Sequence, residues 1–268
     1  MKISIITVSY NAEKYIRQTI ESVIHQTYAE IEYILIDGKS QDGTLDIVDE
    51  YKSNIDIVIS EKDKSLYDAY NKGARLASGD YILFLNADDY LLNNNAIKNV
   101  VAKVGQLDFK PRLVATQSTV IIKNTLIPKW KIPFSKKWCD KYDPMLPSLF
   151  IHRDIYKKVL FNNECKLGGD SDFFLMLRNI DLFDLCFIPL NVTGFRMGGV
   201  STNTNEIQYY ALEKEMFIYK QTGRISMRRI FSNYVKGMLK AMAMSILGED
   251  KYYKNILYPL YIFRTTRV

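Results

Sequence analysis

The stretch Gly79–Tyr90, GDYILFLNADDY, constrains the fold of this chain more than any other. An apolar run from Tyr81 to Leu85 follows a Gly-Asp turn signal, which predicts a buried strand. The run stops at Asn86-Ala87-Asp88-Asp89, which brings two carboxylates and an amide to the strand end. In open α/β sheets, ligands bind at the carboxyl ends of strands, where carboxylates can hold a divalent cation that bridges phosphates. A polar turn before a helix explains the same residues equally well, so both interpretations stay open.

Apolar runs alternate with helical patterns along the first hundred residues. The pattern predicts strands over Lys2–Val8, Ile31–Ile36, Asp56–Ser60 and Tyr81–Leu85, and helices over Ala12–His25, Leu45–Tyr51, Ser65–Ala77 and Asn93–Lys103. Because strands that alternate with helices at this spacing form βαβ units, we expect an α/β fold with a doubly wound, mostly parallel sheet flanked by helices. No G-x-G-x-x-G follows the first strand and no G-x-x-x-x-G-K-[ST] occurs, which disfavours dinucleotide-binding and P-loop proteins.

Beyond Lys103 the pattern is less regular. It predicts strands over Arg112–Lys123, Ser148–His152 and Leu185–Phe195, a helix near Asp154–Val159, a helix over Phe173–Ile180 with an Asp or Ser cap, and a loop over the site at Ile127–Tyr142.

The 268-residue chain has a net charge of +6, and the whole excess lies in its last quarter. From Asn205 onward there are eleven Lys and Arg residues against five Asp and Glu residues, whereas the first 204 residues are balanced. We therefore expect two units, residues 1–204 and a basic helical C-terminal extension over 205–268. A basic extension indicates an anionic partner, and because its charges alternate with apolar residues, a membrane surface is favoured over nucleic acid.

Within the extension, the pattern over Ile225–Leu247 predicts an amphipathic helix. Its apolar stripe consists of Ile230, Tyr234, Met238, Met242 and Ile246. Packing of this stripe on the sheet domain is the simpler interpretation, and a helix that lies on a membrane surface is the alternative.

Three cysteines, an odd number without metal-ligand spacing, predict reduced thiols. The apolar run Ile3–Val8 is too short for a signal peptide, and no apolar run approaches the roughly 20 residues that span a bilayer. We expect a cytoplasmic location, or a peripheral one at the cytoplasmic face of the membrane.

Five motifs occur in order along the first 200 residues. They read ISIITVSYN, LIDGKSQDGT, DKSLYDAYNKGARLASGDYILFLNADD, GGDSDFFLMLR and FRMGGVS. In this order they resemble the family 2 inverting glycosyltransferases, and most of all the bacterial members that build cell-surface polysaccharides. The resemblance implies a single-domain GT-A fold, a hexosyltransferase-class activity, a nucleotide-sugar donor, a glycan or lipid-linked acceptor, and Mg²⁺ or Mn²⁺.

The chemistry of such a transfer needs a cation for the departing diphosphate and a separate base carboxylate for the acceptor hydroxyl. By resemblance, Asp88 matches the last acidic position of the family's Asp-x-Asp metal motif, whereas Asn86 replaces the first carboxylate. Asp170 matches the base at the start of a helix, where Gly169 replaces a frequent Glu. Asp172 is a second candidate for the base, and a helix cap is the structural alternative for either residue.

The resemblance also places the nucleotide over the first two strand ends. Gly38 stands where the family often has an Asp that recognises uracil, so recognition of a uridine nucleotide would depend on Asp37. Leu146-Pro147 replaces a His-Gln pair that contacts the sugar, and Gly198–Ser201 looks like a loop that closes over the donor. The residues expected to contact the donor are Thr7, Ser9, Tyr10, Asp37, Lys64, Asn86, Ala87, Asp88 and Arg196.

Two other functions remain open at this point. A sugar nucleotidyltransferase is also an α/β enzyme with carboxylates at strand ends, but it needs a Gly- and Arg/Lys-rich loop after the first strand. A non-catalytic binding or scaffold protein on the same fold is the second alternative, because the chain departs from the family pattern at three places.

Overall fold

A single mixed sheet of nine strands organises the part of the chain that the structure describes. The structure is a computed structural model, and it describes residues 1–122, 125–131, 144–197, 219 and 227–252. The strands are β1 (Ile3–Ser9), β2 (Ile31–Asp37), β3 (Ile57–Ser60), β4 (Tyr81–Phe84), β5 (Tyr90–Leu91), β6 (Leu113–Ile122), β7 (Thr125–Lys131), β8 (Leu149–His152) and β9 (Leu185–Arg196). Their order is β3-β2-β1-β4-β8-β6-β9-β5, and β7 pairs with β6.

Helices cover both faces of this sheet. They are α1 (Ile16–Ile24), α2 (Thr44–Glu50), α3 (Leu66–Leu76), α4 (Ala96–Val104) and α5 (Gly169–Asn179). Two further helices, α6 (Met227–Leu247) and α7 (Glu249–Tyr252), follow later in the chain. Short 3-10 helices occupy Lys52–Asn54, Leu146–Ser148 and Arg153–Lys157. The predicted α/β class is confirmed.

The sheet is parallel in one half and mixed in the other. Strands β1 to β4 pair in parallel, as expected from their βαβ connections. Strand β8 runs antiparallel to both β4 and β6, while β9 is parallel to β6. The parallel half therefore brings the ends of β1, β2 and β4 to one edge, and this edge carries the predicted site residues.

The core lies on the two faces of the sheet. Alternate residues of β1 point to opposite sides, so that Ile5 packs with α1, α2 and α4 while Ile6 packs with α3 and α5. Helix α3 lies so close to β1 that a Cβ on Gly73 would come within 2.5 Å of an Ile6 methyl group. This close contact fixes α3 against the middle of β1.

Several boundaries differ from the sequence-based expectations. Residues 127–131 of the predicted loop belong to β7, which pairs with β6, while 132–143 lie outside the described residues. The helix predicted near Asp154–Val159 is a 3-10 helix. Helix α5 begins at Gly169, with Gly168 as its N-cap and no side-chain cap, so the predicted Asp or Ser cap is wrong. The two-residue strand β5 was too short to give a pattern.

Helix α6 exposes most of its predicted apolar stripe. Four of its residues are exposed, which contradicts the predicted packing of the stripe on the sheet domain: Tyr234, Met238, Met242 and Ile246. The side chain of Ile230 is not among those that the structure describes. Residues 198–218 are not described either, so the boundary at 204 and the loop at Gly198–Ser201 stay predictions. Among the helices of the described ranges, none combines the length and the apolar composition that a bilayer span requires.

Candidate active site

The loops after β1 and β2 are tied together by the Asp37 carboxylate. Asp37 is completely buried and accepts hydrogen bonds from the hydroxyl groups of Ser9 (2.9 Å), Ser40 (2.5 Å) and Ser60 (2.9 Å), and from the Ser40 amide (2.8 Å). Thr7 is buried as well, and its Oγ1 accepts from the Tyr33 hydroxyl (3.2 Å). These groups shape the floor of the predicted nucleotide site from within the protein.

Tyr10 is the exposed aromatic group at this edge, with 65% of its surface accessible. Next to it, Gly38 donates its amide to the carbonyl of Ser9 (2.8 Å). Lys64 is exposed and does not pair with Asp63 in the described structure. Asp63 instead accepts from the Lys72 ammonium group at 2.6 Å.

Both the oxygen and the nitrogen of the Asn86 side-chain amide form hydrogen bonds within the protein. Its Oδ1 accepts from the Tyr70 hydroxyl (2.5 Å), and its Nδ2 donates to Oδ2 of Asp89 (3.2 Å). Tyr70 is buried and its ring packs on Phe84 of β4. The amide that replaces the family's first metal carboxylate therefore holds the turn after β4 in place.

Arg196 holds the same turn from the end of β9. Its amide donates to Asp89 Oδ1 (2.9 Å), its Nε donates to the carbonyl of Asp88 (2.9 Å) and its Nη2 donates to Gln18 on α1 (2.9 Å). The guanidinium also lies 4.0 Å from the centre of the Tyr15 ring. Arg196 is nearly fully buried, so these contacts make it a brace between α1, β9 and the turn.

The pKa values of the neighbouring carboxyl groups of Asp88 and Asp89 are both raised. Burial and then the charge of Asp88 raise the pKa of Asp89 well above its usual range. Burial also raises the pKa of Asp88, and the nearby Arg196 opposes this rise. Ala87 is buried, and its carbonyl accepts from the Thr19 hydroxyl (2.9 Å).

The described residues fit a divalent cation in a limited way. They contain no group of three or more His, Cys, Asp or Glu side chains placed to hold a metal. Asp89 is occupied by Arg196 and Asn86, whereas no hydrogen bond from another described residue to the Asp88 carboxylate is found. Magnesium sites in nucleotide enzymes often use one or two carboxylates together with substrate phosphates and water. Within this turn, Asp88 is the carboxylate left available for that kind of site.

Asp170 lies in the first turn of α5, one residue after Gly169. A Cβ on Gly169 would come within 2.7 Å of the Tyr67 ring, so this position has no room for the Glu that the family often carries. Asp172 is nearly buried in the same turn, whereas Asp170 is half-buried. The positive end of the helix dipole favours the ionised form of an acid here.

Helix α3 determines where α5 begins. The Asn71 side chain donates to the carbonyl of Phe161 (2.8 Å) and accepts from its amide (2.9 Å). The Ser65 hydroxyl donates to the carbonyl of Asn163 (2.7 Å), and the Tyr67 hydroxyl donates to that of Leu167 (2.6 Å). The segment that precedes Asp170 is therefore held through its main chain.

Tyr70 joins the two halves of the site. Burial raises the pKa of its hydroxyl well above the usual range, and the charges of Asp170, Asp89 and Asp88 raise it further. Helix α3 meets both segments, since Tyr70 donates to Asn86 after β4 and its neighbour Tyr67 lies against Gly169 of α5. In the sequence, 81 residues separate Asp89 from Asp170.

The structure thus brings the predicted residues to one edge of the sheet but gives several of them internal contacts. Sequence reasoning did not identify the residues whose contacts hold the predicted site residues in place. These residues are Thr19, Asp63, Tyr67, Tyr70, Asn71 and Asp89. The long third motif, DKSLYDAYNKGARLASGDYILFLNADD, contained five of these residues and was the available signal.

Comparisons with known proteins identify the family and the fold. The sequence model named Glycosyl transferase family 2 matches residues 4–178. A PGL/p-HBAD biosynthesis glycosyltransferase from Mycobacterium bovis is 36% identical over 190 residues, which cover 69% of each chain.

Solved structures show the fold likeness at low sequence identity. Staphylococcus aureus TarS 1–349 in complex with UDP-GlcNAc superposes with a TM-score of 0.63 at 17% identity, covering 96% of this chain and 76% of that one. The mannosyltransferase PcManGT from Pyrobaculum calidifontis, in complex with GDP-Man and Mn²⁺, gives a TM-score of 0.59 at 14% identity, covering 99% and 79%.

The family match covers the strand ends, the turn after β4 and most of α5, so it includes the site built above except Arg196. A transferase is therefore favoured over the nucleotidyltransferase and scaffold alternatives. This chain belongs to glycosyl transferase family 2, and it is a glycosyltransferase with the GT-A fold.

Proposed function

We propose that the protein is an inverting, metal-dependent glycosyltransferase. It moves a sugar from a UDP-sugar to a hydroxyl group of a glycan or lipid-linked acceptor in cell-surface polysaccharide synthesis. The observation that carries the proposal is that helix α3 meets both segments that carry the carboxylates of Asp88 and Asp170. Tyr70 donates to Asn86 in the turn that contains Asp88, and Tyr67 lies against Gly169, next to Asp170. This placement supplies two separate carboxylates at one edge of the sheet, as the reaction requires.

Asp170 is the proposed base. The acceptor oxygen attacks the anomeric carbon, and the bond from that carbon to the diphosphate oxygen breaks. The nucleoside diphosphate leaves with the bonding electron pair, and the acceptor proton passes to the Asp170 carboxylate. Because attack comes from the face opposite the leaving group, the anomeric configuration inverts.

Asp88 is the proposed protein ligand of Mg²⁺ or Mn²⁺. Such a cation supplies Lewis-acid stabilisation of the negative charge on the departing diphosphate. Asn86 and Asp89 keep the turn in place rather than binding the cation, since their polar atoms are engaged within the protein. The Mn²⁺ complex of the mannosyltransferase with the same fold supports a divalent ion.

The donor nucleotide lies over the ends of β1 and β2 in this proposal. Tyr10 provides an exposed aromatic face for the base, and Lys64 is free to approach the diphosphate. Thr7, Ser9 and Asp37 support the loops from below. A UDP-sugar is supported by the UDP-GlcNAc complex of TarS, which has this fold.

The C-terminal extension is proposed to rest on a membrane surface at its cytoplasmic face. Helix α6 contains Arg228, Arg229, Lys236 and Lys240 and no acidic residue. Its exposed apolar face includes Phe231 (69% accessible). Basic amphipathic helices of this kind bind anionic lipid surfaces. In this proposal residues 1–204 carry the donor site and 205–268 carry the membrane contact.

The first experiment incubates the full chain with UDP-sugars and Mn²⁺ and measures the released products. We expect slow release of UDP that depends on Mn²⁺, and an inverted anomer once an acceptor is transferred. Release of pyrophosphate, or a retained anomer, contradicts the proposal.

The second experiment measures binding to vesicles of phosphatidylglycerol and of phosphatidylcholine. We expect binding to the anionic vesicles alone, and its loss in a Phe231→Glu, Met238→Glu double variant. Unchanged binding of that variant contradicts the membrane role of α6.

A further inference from the structure

Asp63 occupies the space where the family carries its second acidic residue. Gly38 has no side chain, and a Cβ built on it would lie 3.2 Å from Oδ2 of Asp63 and 3.3 Å from Cδ2 of Tyr10. The carboxylate of the loop after β3 therefore enters the volume that an Asp at position 38 would fill. The same volume is bordered by the exposed ring of Tyr10, which is proposed to receive the base.

The two oxygens of Asp63 have different surroundings. Oδ1 accepts from the Lys72 ammonium group at 2.6 Å, and the same ammonium group contacts Glu61 at 2.7 Å. For Oδ2, no hydrogen bond is found within the described ranges. The side chain is only 11% accessible, so this oxygen is both sheltered and directed at the Gly38–Tyr10 space.

Burial raises the pKa of Asp63 above its usual value, and Lys72 opposes that rise. The ion pair with Lys72 favours the carboxylate over the neutral acid. Since an ionised carboxylate is an acceptor only, Oδ2 binds a group that carries a proton.

We propose that Asp63 reads the nucleobase of the donor, with Oδ2 accepting the N3–H proton of uracil. This assignment rests on the proposed function and names the residue that gives the site its base preference. Uracil presents a donor at N3, whereas cytosine presents a lone pair at the same position. A carboxylate therefore attracts uracil and repels cytosine. Asp63 supplies the carboxylate that the family often has at the position of Gly38.

The test uses the full chain and calorimetric titration with UDP and CDP in the presence of Mn²⁺. We expect UDP to bind about 10- to 100-fold more tightly than CDP, the range of one hydrogen bond to a charged group. In Asp63→Asn, Lys72 holds the amide oxygen, so Nδ2 replaces Oδ2 as a donor toward the base. The ratio of UDP to CDP affinity should then fall by about 10- to 100-fold, because the new donor matches N3 of cytosine.

Glu61→Gln is the matched control. Glu61 is the other close partner of Lys72, and its side chain is 58% exposed. This variant removes one negative charge beside the same ammonium group, and the UDP to CDP ratio should stay within about twofold of the unaltered chain. An equal fall of the ratio in both variants means that charge, not the position of Asp63, sets the preference, and it overturns the assignment.

A further measurement needs no variant and covers the case in which Asp63→Asn does not fold. The diphosphate of 3-methyluridine lacks the N3 proton, and it should bind the unaltered chain about 10- to 100-fold more weakly than UDP. Equal binding of the two ligands overturns the assignment. If UDP binds and Asp63→Asn leaves the ratio unchanged, only the role of Asp63 fails. If neither UDP nor CDP binds the unaltered chain, the proposed function fails with it.

Discussion

The turn after β4 and the start of α5 both carry a proposed reactive carboxylate, but the protein holds them differently. The turn is held through its own side chains as well as its main chain, since Asn86 and Asp89 bind Tyr70, Arg196 and each other. Thr19 and Arg196 also bind main-chain carbonyls of the turn. The start of α5 is held through main-chain atoms of the preceding segment, which contact Ser65, Tyr67 and Asn71 of α3 and its cap.

This difference separates two kinds of sensitivity. A side-chain change within the turn alters a buried network of charges and amides, so it affects stability and cation binding together. A change in the contacts of α3 moves the backbone that carries Asp170 and leaves the charges of the turn unaltered. The following predictions test that division.

Asp170→Asn should have the largest effect on turnover. Without a base for the acceptor proton, kcat should fall about 100- to 10,000-fold, while UDP binding by calorimetry stays the same. Asp172→Asn is the matched control in the same turn, and its kcat should fall less than about tenfold. A greater loss for Asp172→Asn moves the base to that residue.

Arg196→Met should have the largest effect on stability. The change removes the donors to Asp88 and Gln18 and leaves the Asp89 carboxylate buried without the nearby positive charge. The free energy of unfolding should fall by roughly 3–5 kcal/mol in urea titrations. A loss below 1 kcal/mol, within the range of an exposed ion pair, means that the brace is not required.

Asn71→Ala should affect the start of α5 rather than the turn after β4. Deleting the side chain leaves the buried amide and carbonyl of Phe161 without partners, at a cost of about 1–3 kcal/mol for each group. Transfer should slow because Asp170 is displaced, and the Mn²⁺ dependence of UDP binding should not change. Altered Mn²⁺ dependence contradicts the division between the two regions.

Asn86→Asp has the smallest expected effect and the sharpest pH signature. The new carboxylate still accepts a hydrogen bond from Tyr70. Its second oxygen replaces Nδ2 of Asn86, which donates to Oδ2 of Asp89 at 3.2 Å in the unaltered chain, so two acceptor oxygens face each other. Two carboxylates at that distance raise the pKa of one of them, so the folded state binds more protons than the unfolded state. Stability should fall by about 1–3 kcal/mol and should fall further as the pH rises. A variant that becomes more stable toward high pH contradicts the observed orientation of Asn86.

The sequence predicted the local elements and the family well, for physical reasons. Strands β1 to β4 have continuous apolar runs because both faces of the parallel half are covered by helices. The turn at Asn86–Asp89 was recognisable because polar residues end an apolar strand abruptly.

Contacts between distant segments could not be predicted in this way. Arg196 meets Asp89 because β9 lies beside β5, and 107 residues separate the two in the sequence. Asp63 pairs with Lys72 rather than Lys64 because α3 turns the later lysine back toward the loop. Such contacts depend on the strand order and helix placement, which periodicity does not encode.

The central claim is that Asp88 serves the leaving group and Asp170 serves the acceptor. The most direct test is the affinity for UDP with and without Mn²⁺ in the unaltered chain, Asp88→Asn and Asp170→Asn. We predict that Mn²⁺ strengthens UDP binding in the unaltered chain and in Asp170→Asn, and that Asp88→Asn loses this increase. A full Mn²⁺ effect in Asp88→Asn, or its loss in Asp170→Asn, contradicts the account.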